Sequence, residues 1–143
     1  MLDHIGLAVS NLTRSRGFYL VALAPLSLGI VMEVTKEQTG KYAGTGFGAN
    51  NKPFFWIGTA DHLSGPVHVA FTASSRAEVD GFYKAALSVG GRDNGAPGVR
   101  AHYHPNYYGA FVLDPDGNNV EVVCHSPAYL PDASILSGSP TRS

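Results

Sequence analysis

The chain has a single cysteine, Cys124, in 143 residues. An internal disulfide is therefore excluded, and the composition suits a reducing, cytoplasmic setting. An excess of charge of either sign is also missing. Ten Lys and Arg stand against eleven Asp and Glu, for a net charge of −1. The cations form no run or stripe, so a nucleic-acid partner is disfavoured, because neutralising phosphates takes clustered Lys and Arg. No apolar stretch approaches the roughly 20 residues that a membrane span needs, and no membrane partner is expected. Met1-Leu2-Asp3-His4 leads straight into a strand pattern and reads as carrying no signal peptide. What remains is a globular composition, 44% hydrophobic and 15% charged. It suffices for one domain with a well-filled interior.

Two stretches of the chain resemble each other at an offset of 64 residues. The first is His4-Ile-Gly-Leu-Ala-Val-Ser10, followed by a helical run through Gly17-Phe18-Tyr19 to Leu23. The second is His68-Val-Ala-Phe-Thr-Ala-Ser74, followed by a run through Gly81-Phe82-Tyr83 to Leu87. A repeated unit folds the same way twice and packs against its copy. A pseudo-twofold between two such units would carry the paired histidines to one shared place.

The alternation within 2–9 predicts a strand with His4, Gly6 and Ala8 on one face and Ile5, Leu7 and Val9 on the other. Ser10 and Asn11 open a helix over 11–23 that Pro25 ends. Residues 27–34, 42–48 and 53–58 read as three strands with Gly-rich turns between them. The second copy begins with a strand over 66–73, with His68, Ala70 and Thr72 on one face. Ser75-Arg-Ala-Glu78 reads as a capping box for a helix over 75–89, closed by Gly90-Gly91. A short strand is expected near 97–103, and the last two over 108–113 and 118–125, joined by the turn Asp114-Pro-Asp-Gly-Asn118. The order is β-α-β-β-β, twice. The fold class is α+β, with two such repeats (1–60 and 65–125) in one domain over 1–125. They are expected to form curved mixed sheets around a metal-binding cup, with an irregular tail over 126–143. Cys124 alternates with Val120 and Val122 and reads as a buried structural residue, not a nucleophile.

Three residues carry the chemical expectation. Glu121 lies in the otherwise apolar strand Asn119-Val-Glu-Val-Val123, where a carboxylate is costly unless paired or metal-bound. His4, His68 and Glu121 supply the set of two imidazoles and one carboxylate that holds a divalent metal with positions left open for substrate. Each alone reads better as a satisfied core histidine or a salt-bridged carboxylate. The repeat symmetry of the two histidines favours the metal. The loop His102-Tyr-His-Pro-Asn-Tyr-Tyr108 is dense in acid–base groups. His102 and His104 are candidate general bases there, and Tyr107 and Tyr108 candidate partners of a substrate oxyanion, against the plainer reading of a surface loop.

The motifs Leu2-Asp-His-Ile-Gly-Leu-Ala-Val-Ser10, Val67-His-Val-Ala-Phe71 and Phe111-Val-Leu-Asp-Pro-Asp-Gly-Asn-Asn-Val-Glu121 resemble the vicinal oxygen chelate superfamily over about 1–125. That superfamily includes glyoxalase I, extradiol dioxygenases, and fosfomycin- and bleomycin-resistance proteins. The resemblance implies metal ligands on the first and fourth strands of each repeat, and His4, His68 and Glu121 match three of these places. The fourth falls in Pro53-Phe-Phe-Trp-Ile57, where a glyoxalase I has a Glu and this chain has Phe55 and Trp56. Glu33 is a further carboxylate of the first repeat, but no sequence signal places it nearby. A three-ligand set is similar instead to the extradiol dioxygenases and the fosfomycin thiol transferases. The transferases carry a Thr where Gly6 stands, and the dioxygenases a Tyr where Phe111 stands. His102, nineteen residues before Glu121, falls where the dioxygenases have an active-site histidine.

The resemblance thus implies a metal-dependent enzyme acting on a small molecule with adjacent oxygens, most like an extradiol-type dioxygenase. Fe2+ or Mn2+ is the favoured metal, with Zn2+ or Ni2+ possible. The alternatives are an isomerase of the lactoylglutathione-lyase type and a metal-free protein that sequesters a drug or metabolite. Trp56, Phe111 and Tyr107 are the expected substrate-binding residues. A homodimer is expected, and the sequence leaves open whether the cup forms within one chain or between two.

Overall fold

Both main helices start on the residues that the sequence marks. Asn11 caps α1 (Leu12–Ala22) by accepting from the Arg14 N–H at 3.0 Å, and Ser75 caps α3 (Arg76–Ser88) by accepting from the Glu78 N–H. The reciprocal half of the expected capping box is displaced by one residue, because the Glu78 carboxylate accepts from the N–H of Ser74. After α1 a single 3-10 turn, Ala24–Leu26, absorbs Pro25. The computed structural model describes residues 1–63 and 65–128. Most of the tail expected to be irregular therefore lies outside the described residues.

Eight strands complete the fold: β1 (Ile5–Ala8), β2 (Gly29–Val34), β3 (Gly44–Ala49), β4 (Lys52–Gly58), β5 (His68–Thr72), β6 (Arg92–Val99), β7 (Tyr108–Leu113) and β8 (Asn119–Cys124). They form two four-stranded mixed sheets, ordered β1-β4-β3-β2 and β5-β8-β7-β6. In each sheet the first and last strands of the repeat run parallel and the other pairs antiparallel. The βαβββ unit expected from the sequence is therefore present twice.

Three local expectations are corrected. The turn between β3 and β4 is not glycine-rich but Asn50-Asn51, with φ of 53° and 61°. Asn tolerates this left-handed region, which a tight hairpin needs at both central residues. A one-turn helix, α2 (Lys36–Thr39), stands between β2 and β3, opened by a full capping box of Thr35 and Gln38. The strand expected near 97–103 begins at Arg92 and ends at Val99. Its Gly- and Pro-containing sequence is accommodated on a sheet edge with two register shifts.

Alternation sorts the side chains as expected. Leu7, Val9, Val69 and Phe71 are buried on the helix-facing sides, whereas Ile5 and Val67, at the strand starts, remain partly exposed. One buried cluster joins Phe47, Phe55 and Ile57 of the first sheet, Val112, Val120 and Val122 of the second, and Phe18, Tyr19 and Phe82 of the helices. Phe55 and Phe71 meet edge to face at 5.0 Å across the junction. Each such side chain contributes about 1.5–3 kcal/mol on burial. The turn at 114–118 also binds the repeats together. Asp114, 1% exposed, accepts from Tyr19 Oη at 2.5 Å and from Asn118 Nδ2, while Asn118 Oδ1 accepts from the Val67 N–H.

Candidate metal centre

The two sheets turn their helix-facing sides to this shared core, and His68, Glu121 and Trp56 belong to the opposite sides. In the second repeat, β5 and β8 pair His68 with Asn119 and Ala70 with Glu121. Glu121 is 3% exposed. Its Oε1 lies 3.1 Å from His68 Nε2, and its Oε2 accepts from the Tyr107 hydroxyl. No Lys or Arg forms an ion pair with Glu121 among the described residues.

The other nitrogen of His68 decides what this pair is. Nδ1 lies 3.0 Å from the Asn119 carbonyl oxygen, which can only accept, so Nδ1 carries the proton. In the neutral ring Nε2 is then a bare lone pair aimed at a buried carboxylate. Two acceptors facing each other need a proton or a cation between them. Orientation of a histidine by a backbone carbonyl is also the usual support of a metal-ligating imidazole. A separation of 3.1 Å suits neighbouring ligands of one ion whose bonds are about 2.1 Å long. The residues present thus fit two of the ligands of a divalent metal.

Aromatic groups surround the pair. Phe111 stacks on His68 with centroids 6.3 Å apart, and the Arg100 guanidinium lies 5.6 Å from the Phe111 centroid. Burial, then the hydrogen bond to Glu121 and its charge, push the Tyr107 phenol up to about 12. It therefore stays protonated and donates at neutral pH. Tyr107 also touches Tyr103 at 5.0 Å and His125 at 5.2 Å.

The remaining expected residues are placed differently. His4 stands just before β1, exposed, with Nδ1 2.7 Å from Asp3 Oδ1. It lines one cavity of about 500 Å3 together with His68, yet among the described residues no three metal-ligating side chains converge. His102 is exposed and reaches Tyr107 only through the ring of Tyr103, 4.1 Å away. His104 accepts from the Asn106 N–H and lies 6.1 Å from His125. Tyr108 points to the helix side, where its hydroxyl donates to Asp80 at 2.6 Å under the Arg76 guanidinium. Glu33 is likewise turned to the helix side, held by Arg16 at 2.5 Å and by Thr45.

Trp56 takes the fourth place itself. It pairs with Gly6, two residues after His4, as Glu121 pairs with Ala70, two residues after His68. Arg100 is not singled out by the sequence, and His125, at a strand end, ranks there below His102 as a proton carrier. For His125 the signal was available, since it shares alternation parity with Asn119, Glu121 and Val123. Arg100, in a turn, carried none.

Residues 1–122 match the family model of the Glyoxalase/Bleomycin resistance protein/Dioxygenase superfamily. The chain belongs to this superfamily. A search of curated proteins finds no match. Among solved structures, the chain is similar to a glyoxalase/bleomycin resistance protein from Albidiferax ferrireducens, with 24% identity and a TM-score of 0.67, covering 85% of this chain and 95% of that one. It is also similar to the E144Q mutant of glyoxalase I from Zea mays, with 20% identity and a TM-score of 0.65, covering 85% of this chain and 46% of that one. An integron cassette protein from a Halifax Harbour sewage-outfall metagenome shares 17% identity at a TM-score of 0.63, covering 87% of this chain and 97% of that one. At these identities the likeness is one of fold.

Proposed function

We propose that this member of the superfamily is a metal-dependent enzyme acting on a small molecule with adjacent oxygens, by ring-cleaving oxygenation of the extradiol type, with dioxygen as the oxidant and both of its atoms entering the product. The observation that carries the reading is His68 Nε2 lying 3.1 Å from the buried Glu121 carboxylate while its Nδ1 is held by the Asn119 carbonyl. Fe2+ or Mn2+ is the favoured ion for this nitrogen and oxygen donor set, with Zn2+ or Ni2+ as substitutes. Once bound, the metal would supply Lewis acidity toward two adjacent substrate oxygens. The isomerase reading loses support because Trp56, which offers no oxygen ligand, occupies the fourth place.

The chain's own residues divide the remaining work. His68 and Glu121 hold the ion, the Asn119 carbonyl fixes the imidazole, and Tyr107 holds the second oxygen of Glu121. Phe111 and Arg100 wall the substrate side. His102 carries the proton from its loop, since coordination occupies the basic atoms of the ligands. His4 completes the ligand set from a second copy of the chain. Support comes from His4 and Glu121, which do not converge among the described residues, and from β1 and β5, which are end strands of their sheets. The assembly is thus a homodimer. Its single cysteine, buried, suits the cytoplasm.

The test is elemental analysis after loading with Fe2+ or Mn2+ without oxygen, followed by turnover of catechols and of glutathione hemithioacetal. Metal retention lost in His68→Ala, with turnover of a catechol only, is expected. A wild-type chain that retains no divalent metal would remove the reading.

A further inference from the structure

The second sheet carries a reactive dipeptide that the metal centre does not use. We propose that Asn94-Gly95, on β6, is a site of spontaneous modification, where the Gly95 nitrogen closes on the Asn94 side chain to form a succinimide that opens to aspartate or isoaspartate. The reaction needs neither a metal nor a substrate, so it stands apart from the function proposed above.

An asparagine followed by glycine is the pair most open to this ring closure. Glycine has no side chain to block the attacking nitrogen and lets the backbone turn toward the amide. Asn94-Gly95 is the only Asn-Gly pair of the chain. A regular central strand would hold such a pair rigid, but β6 is an edge strand. Its pairing also slips at this point, with Asp93 opposite Val112 and Gly95 opposite Phe111. Asn94 is the extra residue of the bulge between them, and it is exposed. The Gly95 N–H donates to the Asp93 carboxylate at 2.9 Å. A carboxylate at that distance can take the proton as the nitrogen attacks.

The wall of the metal centre imposes the glycine. Gly95 has a φ of 151°, and a Cβ on it would lie 2.9 Å from a ring carbon of Phe111, the residue that stacks on His68. The packing that seats Phe111 thus leaves the bond after Asn94 unshielded. Asp116-Gly117, the other acidic or amide residue before a glycine in a turn, is differently held. The Gly117 N–H donates to the Asp114 carbonyl, and the Asp116 carboxylate accepts from Ser10.

The step balances without an oxidant or cofactor. A bond forms between the Gly95 nitrogen and Asn94 Cγ, and the Cγ–Nδ2 bond breaks. The Gly95 proton passes by way of Asp93 to the departing ammonia. Water then opens the ring at either carbonyl. Both products lack the amide donor, so the hydrogen bond from Asn94 Nδ2 to Asn119 Oδ1, 3.1 Å long, is lost, and with it a tie between β6 and β8.

Full-length protein kept in mildly alkaline buffer, sampled over time by peptide mass spectrometry and isoelectric focusing, provides the test. Asn94 is expected to deamidate about 10-fold or more faster than Asn50, Asn51, Asn106, Asn118 or Asn119. Each event should add one negative charge and release one ammonia. Asn94→Gln keeps an amide but would need a larger ring, and should stop the acidic species from forming. Asp93→Asn keeps an oxygen for the Gly95 N–H but removes the base, and should slow the reaction by about 10-fold or more. An Asn94 that reacts no faster than the other asparagines, or an Asp93→Asn rate equal to that of the wild type, would overturn the proposal.

Discussion

At the scale of single residues, the site depends on which atoms are already committed. His68 donates its Nδ1–H to the Asn119 carbonyl, and Glu121 has one oxygen held by the Tyr107 hydroxyl, which leaves Nε2 and Oε1 facing each other. Tyr107→Phe should therefore weaken metal binding by about 10- to 100-fold, the range for a lost outer partner of a ligand, as read by competition with a chelator. His102→Ala should instead leave metal content intact and lower turnover roughly 100-fold, the loss usual for a general acid or base. A drop in metal content in His102→Ala would assign that residue to the ligand set or its support. In the core, Tyr19→Phe removes the donor to the buried Asp114, and denaturant unfolding should show a loss of about 2 kcal/mol. The sequence made His68 and Glu121 legible, because a polar residue on an alternating apolar strand can be assigned a face. Alternation counted back from Phe111 also separates Tyr107, on the Glu121 side, from Tyr108, on the helix side. The reach of His4 was not legible, since strand parity says nothing about how two sheets sit against each other.

Elements followed the sequence where local chemistry was strong. Asn11 and Ser75 begin their helices as caps, and Gly117, at a φ of 85°, turns the chain between β7 and β8. Where the signal was weak, packing and edge position decided. β6 forms from a segment with two glycines and a proline, because an edge strand with register shifts tolerates them. The repeated Gly-Phe-Tyr triplet also divides. Gly81 faces the 3-10 turn, where a Cβ would lie 3.1 Å from Pro25 Cβ, whereas Gly17 has no neighbour within 4 Å. The Asn50-Asn51 turn supplies a test at this scale. Asn51→Gly should be neutral or stabilising, because glycine occupies positive φ without steric cost. Asn51→Val should cost about 1–2 kcal/mol in thermal or denaturant unfolding, because a β-branched side chain crowds the backbone at a φ of 61°. Equal stability of the two variants would show that the hairpin adopts another turn.

For the whole molecule, one shared core lies between the two sheets and takes side chains from both repeats. Each repeat keeps a polar or aromatic face on the side away from that core: His68 and Glu121 on one sheet, Trp56 with His4 at its margin on the other. In the proposed dimer the first face of one copy meets the second face of another. A mixed dimer decides it. One chain carries His4→Ala and the other Glu121→Gln, with separate tags so that only the mixed species is isolated. If His4 crosses to the partner, one site of the mixed dimer is intact and the other doubly broken, so the dimer holds one metal ion while each variant alone holds none. If the ligands come from a single chain, both sites are broken. A mixed dimer that holds no metal would contradict the account.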